Sequence, residues 1–333
     1  GPSFTMIIPM AIGAMMLSGG GSVASGLIMT GGSALMAGMW AMVNIRYQKN
    51  EDAKTEQKRI GDYTAYINGI AARLQEKQAY NKGVLESMMP SAGEAIDFAL
   101  TGSPRLWEKS AAHEDFLFTR LGRGDMPSPN TVDAAKEQIL SAHDPLNSLA
   151  DRLRAEMATL HDVPVGISLY KNRMAGIVSD DRAKAIRIAN RLCAQIAGLH
   201  PYTDVRMCFV YPLRELDDWS YARFLPHVWT PDGKLRMIAN DKNTVGDVMY
   251  HLSGVLRGRM EASAAASSDR EQKELPHYVA VIADWSLVEG EPIAKYLMNP
   301  EPALGLTVVC NEPTSYAQIR TGIELIAEVM GAD

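Results

Sequence analysis

The first 45 residues contain no aspartate, glutamate, lysine or arginine, and Arg46 is the first charged side chain. Two apolar runs, "FTMIIPMAIGAMML" and "VASGLIMTGGSALMAGMWAMVNI", flank the turn-forming stretch "SGGGS". As a helix, the second run would be about 34 Å long, and a bilayer core is about 30 Å thick. We therefore predict a transmembrane helical hairpin over residues 1–45. A buried hairpin in a soluble domain is the alternative.

The chain also lacks the features of a secretory signal peptide, which needs a basic start and one short apolar stretch. Basic side chains instead follow the second apolar run closely, at Arg46, Lys49, Lys54, Lys58 and Arg59. Loops rich in lysine and arginine stay on the cytoplasmic side of a membrane. The sequence predicts a multi-pass protein of the cell membrane, with the residues after about 46 in the cytoplasm.

Cysteine is scarce, and motifs of known catalytic chemistry are missing. The cysteines Cys193, Cys208 and Cys310 are odd in number and far apart, which indicates reduced, buried thiols and neither a disulfide framework nor a metal site. No HExxH or GxSxG motif, Cys/His pair or carboxylate dyad is present. We predict no catalytic residue and no metal in this chain. The net charge of −6 argues against a nucleic-acid partner.

Residues 46–90 are charged and contain no proline before Pro90. Apolar residues recur there at alternating spacings of three and four, which places them on one side of a helix. We predict a helical stalk over 46–90, either paired as a coiled coil or lying as a single helix against the following domain, and ended by Pro90. The apolar series is Ile60, Tyr63, Ile67, Ile70 and Leu74.

Residues 91–333 are predicted to form strands at the stalk base and then an α/β domain. "DFLFTRLG" alternates as a half-buried strand does, with a loop from Gly122 and Gly124 to Pro127 and Pro129. From about residue 160, apolar strands alternate with amphipathic helices, which indicates a mostly parallel sheet covered on both faces. The strands are "VPVGISLY", "RMAGIVS", "DVRMCFVY", "HYVAVIADW" and "LGLTVVCNE". The helices are 181–199 and "DVMYHLSGVLRGRM", with a polar, flexible connection over 262–275 and a final helix or edge element in "SYAQIRTGIELIAEVM".

The stretch "GIVSDDRAKAIR" occupies the position of a phosphate-binding loop, between a strand and a helix, but it lacks the glycines of one. Ser179, Asp180, Asp181 and Lys184 stand where backbone N–H groups and a lysine would hold phosphate. Near a polyphosphate, each aspartate would be repelled by about 4 kcal/mol at roughly 4 Å and an effective dielectric of about 20. We interpret the aspartates as a helix cap and not as a nucleotide site.

"HYVAVIADW" resembles a Walker B strand, in which an acid at the strand end assists magnesium. Asp284 fills that position, but Trp285 follows where a catalytic glutamate is usual. Without a phosphate loop opposite, we expect Asp284 to be a polar residue at the rim of the sheet. The alternative is an unorthodox hydrolase that uses Lys184 and Asp284.

Three sequence features together resemble one family. "GPSFTMIIPM" precedes the second membrane helix, "RLWE…DFLFTRLGRG" follows the stalk, and "DWSYARFLPHVW" lies in the α/β domain. In this order they resemble the EssC/EccC membrane ATPases of type VII (ESX) secretion systems, in the FtsK/SpoIIIE group. The matching positions are Trp107, Glu108, Asp115, Phe116, Leu117, Arg120, Gly122, Gly124, Trp219, Leu225, Pro226 and His227. The strand "LGLTVVCNEPTS" also resembles a strand of FtsK-type motors, with Asn311 and Glu312 at its tip.

The resemblance implies two membrane helices, a stalk and a degenerate, P-loop-NTPase-like domain without Walker A. ATP and magnesium would then belong to later modules of the parent protein, and this segment would need no cofactor. It further implies a role in protein export, other secretion-system membrane components as partners, and self-association as a hexamer. We expect Trp107, Phe116 and Leu117 to pack the stalk base onto the α/β domain and Arg120 to pair with an acid. An FtsK-like DNA translocase anchor is the remaining alternative, which the acidic charge disfavours.

Overall fold

The computed structural model describes residues 23–130, 146–265 and 274–310. These residues form two units. The first contains residues 23–74 and 146–154, and the second contains 75–130, 155–265 and 274–310. The predicted boundaries near residues 45 and 90 are not tested by this division and stay predictions.

A single long helix, α1 (Val23–Met88), includes the second apolar run and the whole predicted stalk. It ends just before Pro90, as the sequence predicts, because proline has no N–H to continue the helix. Within the described residues, no helix combines the length and the apolar character needed to span a membrane. The first apolar run and the glycine turn lie outside those residues, so the membrane hairpin stays a prediction.

After Pro90, helix α2 (Ala92–Thr101) begins at a capping box in which Ser91 and Glu94 satisfy each other's backbone N–H groups. It ends at Gly102, whose φ of +63° is the left-handed conformation that glycine adopts without strain. Helix α3 (Asn147–Met157) precedes the second strand of the chain.

Strand β1 (Phe118–Pro127) pairs antiparallel with β2 (Thr159–Ser168) in a two-stranded sheet. Three predictions were wrong here. The strand begins three residues later than "DFLFTRLG" suggests, because Leu117 has a φ of +55° and forms a turn before it. Gly122 and Gly124 lie inside β1 and not in a loop, and both adjoin irregularities in its register. "VPVGISLY" belongs to this antiparallel pair up to Ser168, where β2 ends, and not to the parallel sheet.

The α/β arrangement with a parallel sheet is confirmed. Five strands pair in the order β3-β7-β6-β4-β5, and every pair is parallel. Their bounds are β3 Met174–Gly176, β4 Val205–Val210, β5 Ile238–Ala239, β6 His277–Ile282 and β7 Leu306–Cys310.

Helices cover both faces of this sheet, which explains why β4 and β6 are buried at every position. On one face, α5 (Arg182–Leu199) packs on Phe209 and Val281 through a cluster that includes Ile196. On the other, α7 (Lys242–Ala265) packs on Cys208 and Ala280. The short helices are α4 (Leu169–Asn172), α6 (Leu216–Trp219) and α8 (Ala294–Met298).

The connection expected to be flexible from residue 262 is helical up to Ala265, so that prediction was wrong at its start. Residues 266–273 lie outside the described chain. The same holds for Asn311 and Glu312 and for the predicted final element in "SYAQIRTGIELIAEVM".

Candidate functional site

The loops after β3, β4 and β6 meet at one edge of the sheet, because the carboxyl ends of parallel strands point the same way. This carboxyl edge is where an α/β protein normally binds a ligand. It contains all five residues predicted as remnants of a nucleotide site: Ser179, Asp180, Asp181, Lys184 and Asp284. We therefore treat it as the candidate functional site.

The loop between β3 and α5 has no phosphate-binding geometry. Residues 177–181 contain no glycine, and none of them has a positive φ. A phosphate-binding nest needs residues that alternate between right- and left-handed conformations, so that successive N–H groups converge. Residues 177–181 therefore form no such nest.

The Asp181 carboxylate binds the N–H groups at the start of α5, which in a helix can bind an anion. Its Oδ1 accepts the N–H of Ala183 at 2.8 Å and the N–H of Lys184 at 3.2 Å. Its own N–H donates to the Ser179 hydroxyl at 3.2 Å. The predicted helix cap is thus confirmed at Asp181, while Asp180 is exposed. The N–H groups that could hold a phosphate already bind a carboxylate of the protein itself.

The residue after the cap, Arg182, is bound to the sheet edge. Its Nε and Nη2 donate to the two Glu215 carboxylate oxygens at 3.0 and 2.9 Å, and Nη2 also donates to the Ala283 carbonyl at 2.7 Å. Glu215 is buried and accepts a further hydrogen bond from Trp219 Nε1 at 3.2 Å. The positive charge of Arg182 is therefore neutralised within the protein.

Asp284 also has partners inside the protein. Its Oδ1 accepts the Ser286 N–H at 3.0 Å and the Ser286 hydroxyl at 2.6 Å, while Oδ2 accepts from Arg214 at 3.3 Å. Lys184 is partly exposed on the first turn of α5, and no ion pair joins it to a carboxylate of the described residues. Within that part of the chain, no cluster of three or more His, Cys, Asp or Glu residues could hold a metal.

The sequence analysis missed the centre of this edge. Arg182, Arg214 and Glu215 form a charged network with Asp284, and neither Arg214 nor Glu215 was singled out. The signal was present in "YPLRELDDW", where two charges, Arg214 and Glu215, come soon after a strand that is buried at every position. Charges at that point face the same edge as the phosphate-loop position.

The residues of the first family motif lie elsewhere, at the opposite edge of the sheet and beside the end of α5. Trp107 donates its backbone N–H to the Gly198 carbonyl and its Nε1 to the Ala197 carbonyl, both at 3.0 Å. Phe116 and Leu117 are buried in the core, and Leu117 N–H donates to His200 Nε2 at 3.0 Å. These contacts pack the motif segment onto the α/β domain.

Part of the second motif, in the connection after β4, also lies beside the end of α5. His227 Nε2 donates to the His200 carbonyl at 2.8 Å, and Pro226 accepts a hydrogen bond from Arg206 through its carbonyl. Leu225 packs on the core, whereas Trp219 is fully buried and points toward the network at the carboxyl edge. The matched residues therefore lie in two different places, Trp219 at the carboxyl edge and the others beside the end of α5.

Buried histidines join the two motifs to the sheet. Phe116 contacts the rings of both His200 and His277 edge-on, at centroid distances of 5.5 and 6.0 Å. Burial lowers the pKa of His200 to about 3, of His227 to about 4 and of His277 to about 3. All three are neutral at physiological pH and act as hydrogen-bonding parts of the core.

Comparison with known proteins finds no protein-family model that matches the chain. Curated relatives do match. The ESX secretion system protein EccC of Geobacillus thermodenitrificans is 25% identical over 293 residues, 86% of this chain. YukB of Bacillus subtilis, an ESX secretion system protein, is 25% identical over 310 residues, or 92%. The type VII secretion system protein EssC of Staphylococcus aureus is 24% identical over 263 residues, or 79%.

The chain spans about a fifth of the length of these relatives, since the matches cover 19%, 20% and 18% of them. The resemblance predicted from the motifs is confirmed: over most of its length, the chain is similar to EccC, YukB and EssC secretion proteins.

Solved structures give a looser likeness. The Thermomonospora curvata EccC structure of ATPases 2 and 3 with a signal sequence peptide is 13% identical, with a TM-score of 0.36, over 63% of this chain and 34% of that one. The Geobacillus thermodenitrificans EssC structure of ATPases 2 and 3 is 11% identical, with a TM-score of 0.39, over 62% and 35%. TM-scores of this size do not decide the fold, which rests on the strand order itself.

Proposed function

We propose that this chain is the membrane-anchoring and coupling part of a type VII secretion motor. In this proposal, its α/β domain is derived from a nucleotide-binding motor domain but binds no nucleotide. ATP and magnesium would act in other modules of the full-length protein. The similarity to curated ESX and type VII secretion proteins supports the assignment to that system.

One observation carries the claim about nucleotide. The Asp181 carboxylate takes the N–H groups at the start of α5, where a nucleotide motor would bind phosphate. A triphosphate entering there would have to displace this carboxylate and would meet its negative charge. Arg182, the first residue of α5, is already paired with buried Glu215.

Titration calorimetry of the intact chain with ATP and magnesium tests this claim. We expect no heat of binding at millimolar nucleotide, and the same result with ADP. Micromolar, magnesium-dependent ATP binding that is lost on Lys184→Ala with Asp284→Ala would overturn it and support the alternative hydrolase. Micromolar binding that survives both substitutions would also overturn it, and would place the nucleotide elsewhere.

The anchoring role rests on the charge-free residues 1–45 and the basic residues that follow them. We expect the chain to stay in the membrane fraction after high-salt and alkaline washing. Two charges in the second apolar run, Met36→Glu with Met39→Glu, should release it, because each carboxylate at the centre of a span costs about 2.5–3.5 kcal/mol. Gln48→Glu, outside the predicted span, is the control. Release of the unaltered chain by salt alone would refute an integral anchor.

The proposed coupling requires self-association and contact with other secretion components, as the family resemblance implies. Sedimentation of the detergent-solubilised chain tests the first. We expect a concentration-dependent oligomer, with the hexamer as the largest species. A monomer at all concentrations would contradict self-association through this part of the protein.

A further inference from the structure

The last carbonyl groups of helix α1 are bound by side chains from other parts of the chain. A helix leaves its final carbonyls without N–H partners, and basic side chains can take them and complement the negative end of the helix dipole. The last turn of α1 itself has no basic residue. The donors are Arg105 Nη2 to the Ser87 carbonyl at 2.6 Å, Lys109 Nζ to Met88 at 3.0 Å and Arg120 Nη1 to Met89 at 3.1 Å.

Each of the three cations also has its own carboxylate. Arg105 pairs with Glu108 at 2.7 Å, Lys109 pairs with Asp115 at 2.8 Å, and Arg120 pairs with Glu86 at 3.0 Å. The Lys109 and Arg120 side chains are only 5% and 12% exposed, so water screens their bonds weakly. Every cation is thus shared between one carboxylate and one backbone carbonyl at the end of α1, in Ser87, Met88 or Met89.

The same cations are fixed to the α/β domain through their backbone. Lys109 N–H donates to the Leu199 carbonyl, at the end of α5, at 2.9 Å. Arg120 exchanges two backbone hydrogen bonds, both of 2.8 Å, with the side-chain amide of Gln195 on α5. Trp107, between Arg105 and Lys109 in sequence, bonds to α5 as well. The cations therefore connect the end of α1 to the last turns of α5.

The ion pair with Lys109 keeps Asp115 ionised. Burial by itself would raise the pKa of its carboxyl group, but the hydrogen bond and the charge of Lys109 together lower that pKa below its usual value. Asp115 therefore stays ionised, and Lys109 keeps a charged partner while it donates to the helix. Arg123 adds a second contact to the Glu86 carboxylate beside Arg120.

We propose that Arg105, Lys109 and Arg120, which we call the C-terminal clamp, form the joint that fixes the end of α1 to the α/β domain. The inference rests on the proposed function in one respect, namely that α1 serves as the stalk. The proposal gives the residues of "RLWE…DFLFTRLGRG" a physical role. Its charged residues bind the end of α1, and its apolar residues, such as Trp107, attach the clamp to α5.

Hydrogen exchange measured by mass spectrometry on the intact chain tests the clamp. Lys109→Met keeps the length of the side chain but removes its charge and its donor. We expect amides of residues 82–89 to exchange at least tenfold faster, while β4 and β6 keep their protection and so show that the domain is folded. Lys54→Met is the matched control, because Lys54 forms an exposed pair with Glu51 on the same helix. It should leave exchange in residues 82–89 unchanged.

A second variant covers the case in which Lys109→Met does not fold. Asp115→Asn keeps the lysine and removes only the charge of its partner, so we expect a smaller increase in exchange over the same residues. Unchanged protection of residues 82–89 in both variants, with β4 and β6 protected, would overturn the clamp. This readout is independent of nucleotide binding and of membrane extraction, so failure of the clamp and failure of the proposed function can be told apart.

Discussion

Arg182 and Glu215 form a two-point ion pair at the carboxyl edge of the sheet, with nitrogen–oxygen distances of 3.0 and 2.9 Å. Arg182 is the first residue of α5, and Glu215 follows β4 in a short helical turn. The pair therefore ties together two of the loops that would surround a nucleotide in an active motor domain. The ion pair therefore holds the loop after β3 against the loop after β4.

Loss of this pair should destabilise the domain. Glu215→Gln leaves the Arg182 guanidinium without its charged partner, and breaking a buried pair on one side costs about 3–5 kcal/mol. Arg182 is 32% exposed, so we expect a value nearer about 2 kcal/mol. Urea unfolding of the intact chain measures it. The double variant Arg182→Met with Glu215→Gln should lose less than the sum of the single losses; strict additivity would show that the two side chains do not interact.

The cap at Asp181 can be compared directly with its neighbour. Asp181→Ala removes the acceptor of two N–H groups, so we expect about 1 kcal/mol less stability in urea. Asp180→Ala is the control, because Asp180 is exposed and is not the capping residue. Equal effects of the two substitutions would mean that the cap contributes nothing beyond a general charge effect.

The sequence predicted this part of the fold well because its signals were local. The apolar runs of β4, β6 and β7 and the helix after Asp181 all lie where expected. Neighbouring residues decide such features, through strand burial on both faces and through capping.

Some failures were local, such as the start of β1 and the loop expected at Gly122 and Gly124, but the pairings between distant segments could not be predicted at all. The strand in "VPVGISLY" pairs antiparallel with β1. In this pair Thr119 lies opposite Ile167, which is 48 residues away in sequence. The Arg182–Glu215 pair likewise joins residues 33 apart, and the clamp joins Lys109 to a carbonyl 21 residues earlier. Periodicity along one segment gives no information on which distant segment will be its partner.

The buried histidines predict a loss of stability in mild acid. Burial lowers the pKa of His200 to about 3, of His227 to about 4 and of His277 to about 3, against about 6.5 in an unfolded chain. The folded state thus favours the neutral rings. Their contribution is fully present above about pH 6.5 and is lost as the pH falls from there toward the folded values.

Urea unfolding between pH 7.5 and 5 measures this loss. Each histidine should contribute a slope of up to about 1.4 kcal/mol per pH unit once the pH is below 6.5. His227→Gln removes one titrating group while its amide can still donate to the His200 carbonyl, so the slope should fall by roughly a third. A stability that does not change over this pH range would contradict the neutral, buried state of the rings.

The packing of α2 on α5 depends on a glycine. A Cβ placed on Gly198 would lie 2.7 Å from the Ala95 carbonyl oxygen, and backbone cannot move aside as a flexible side chain can. Gly198→Ala should therefore cost about 1–3 kcal/mol in urea unfolding, as overpacking does elsewhere.

Gly254→Ala on α7 is the matched substitution, because a Cβ there would meet nothing within 4 Å. Alanine favours a helix over glycine by about 1 kcal/mol, so this variant should gain stability while Gly198→Ala loses it. If the free energy of unfolding rises at Gly254 and falls at Gly198, the loss can be assigned to the close contact between Ala95 and Gly198. A gain at both positions would mean that α2 does not approach α5 as closely as 2.7 Å implies. Trp107 donates to the Gly198 carbonyl, so a gain at both positions would also count against the proposed attachment of the C-terminal clamp to α5.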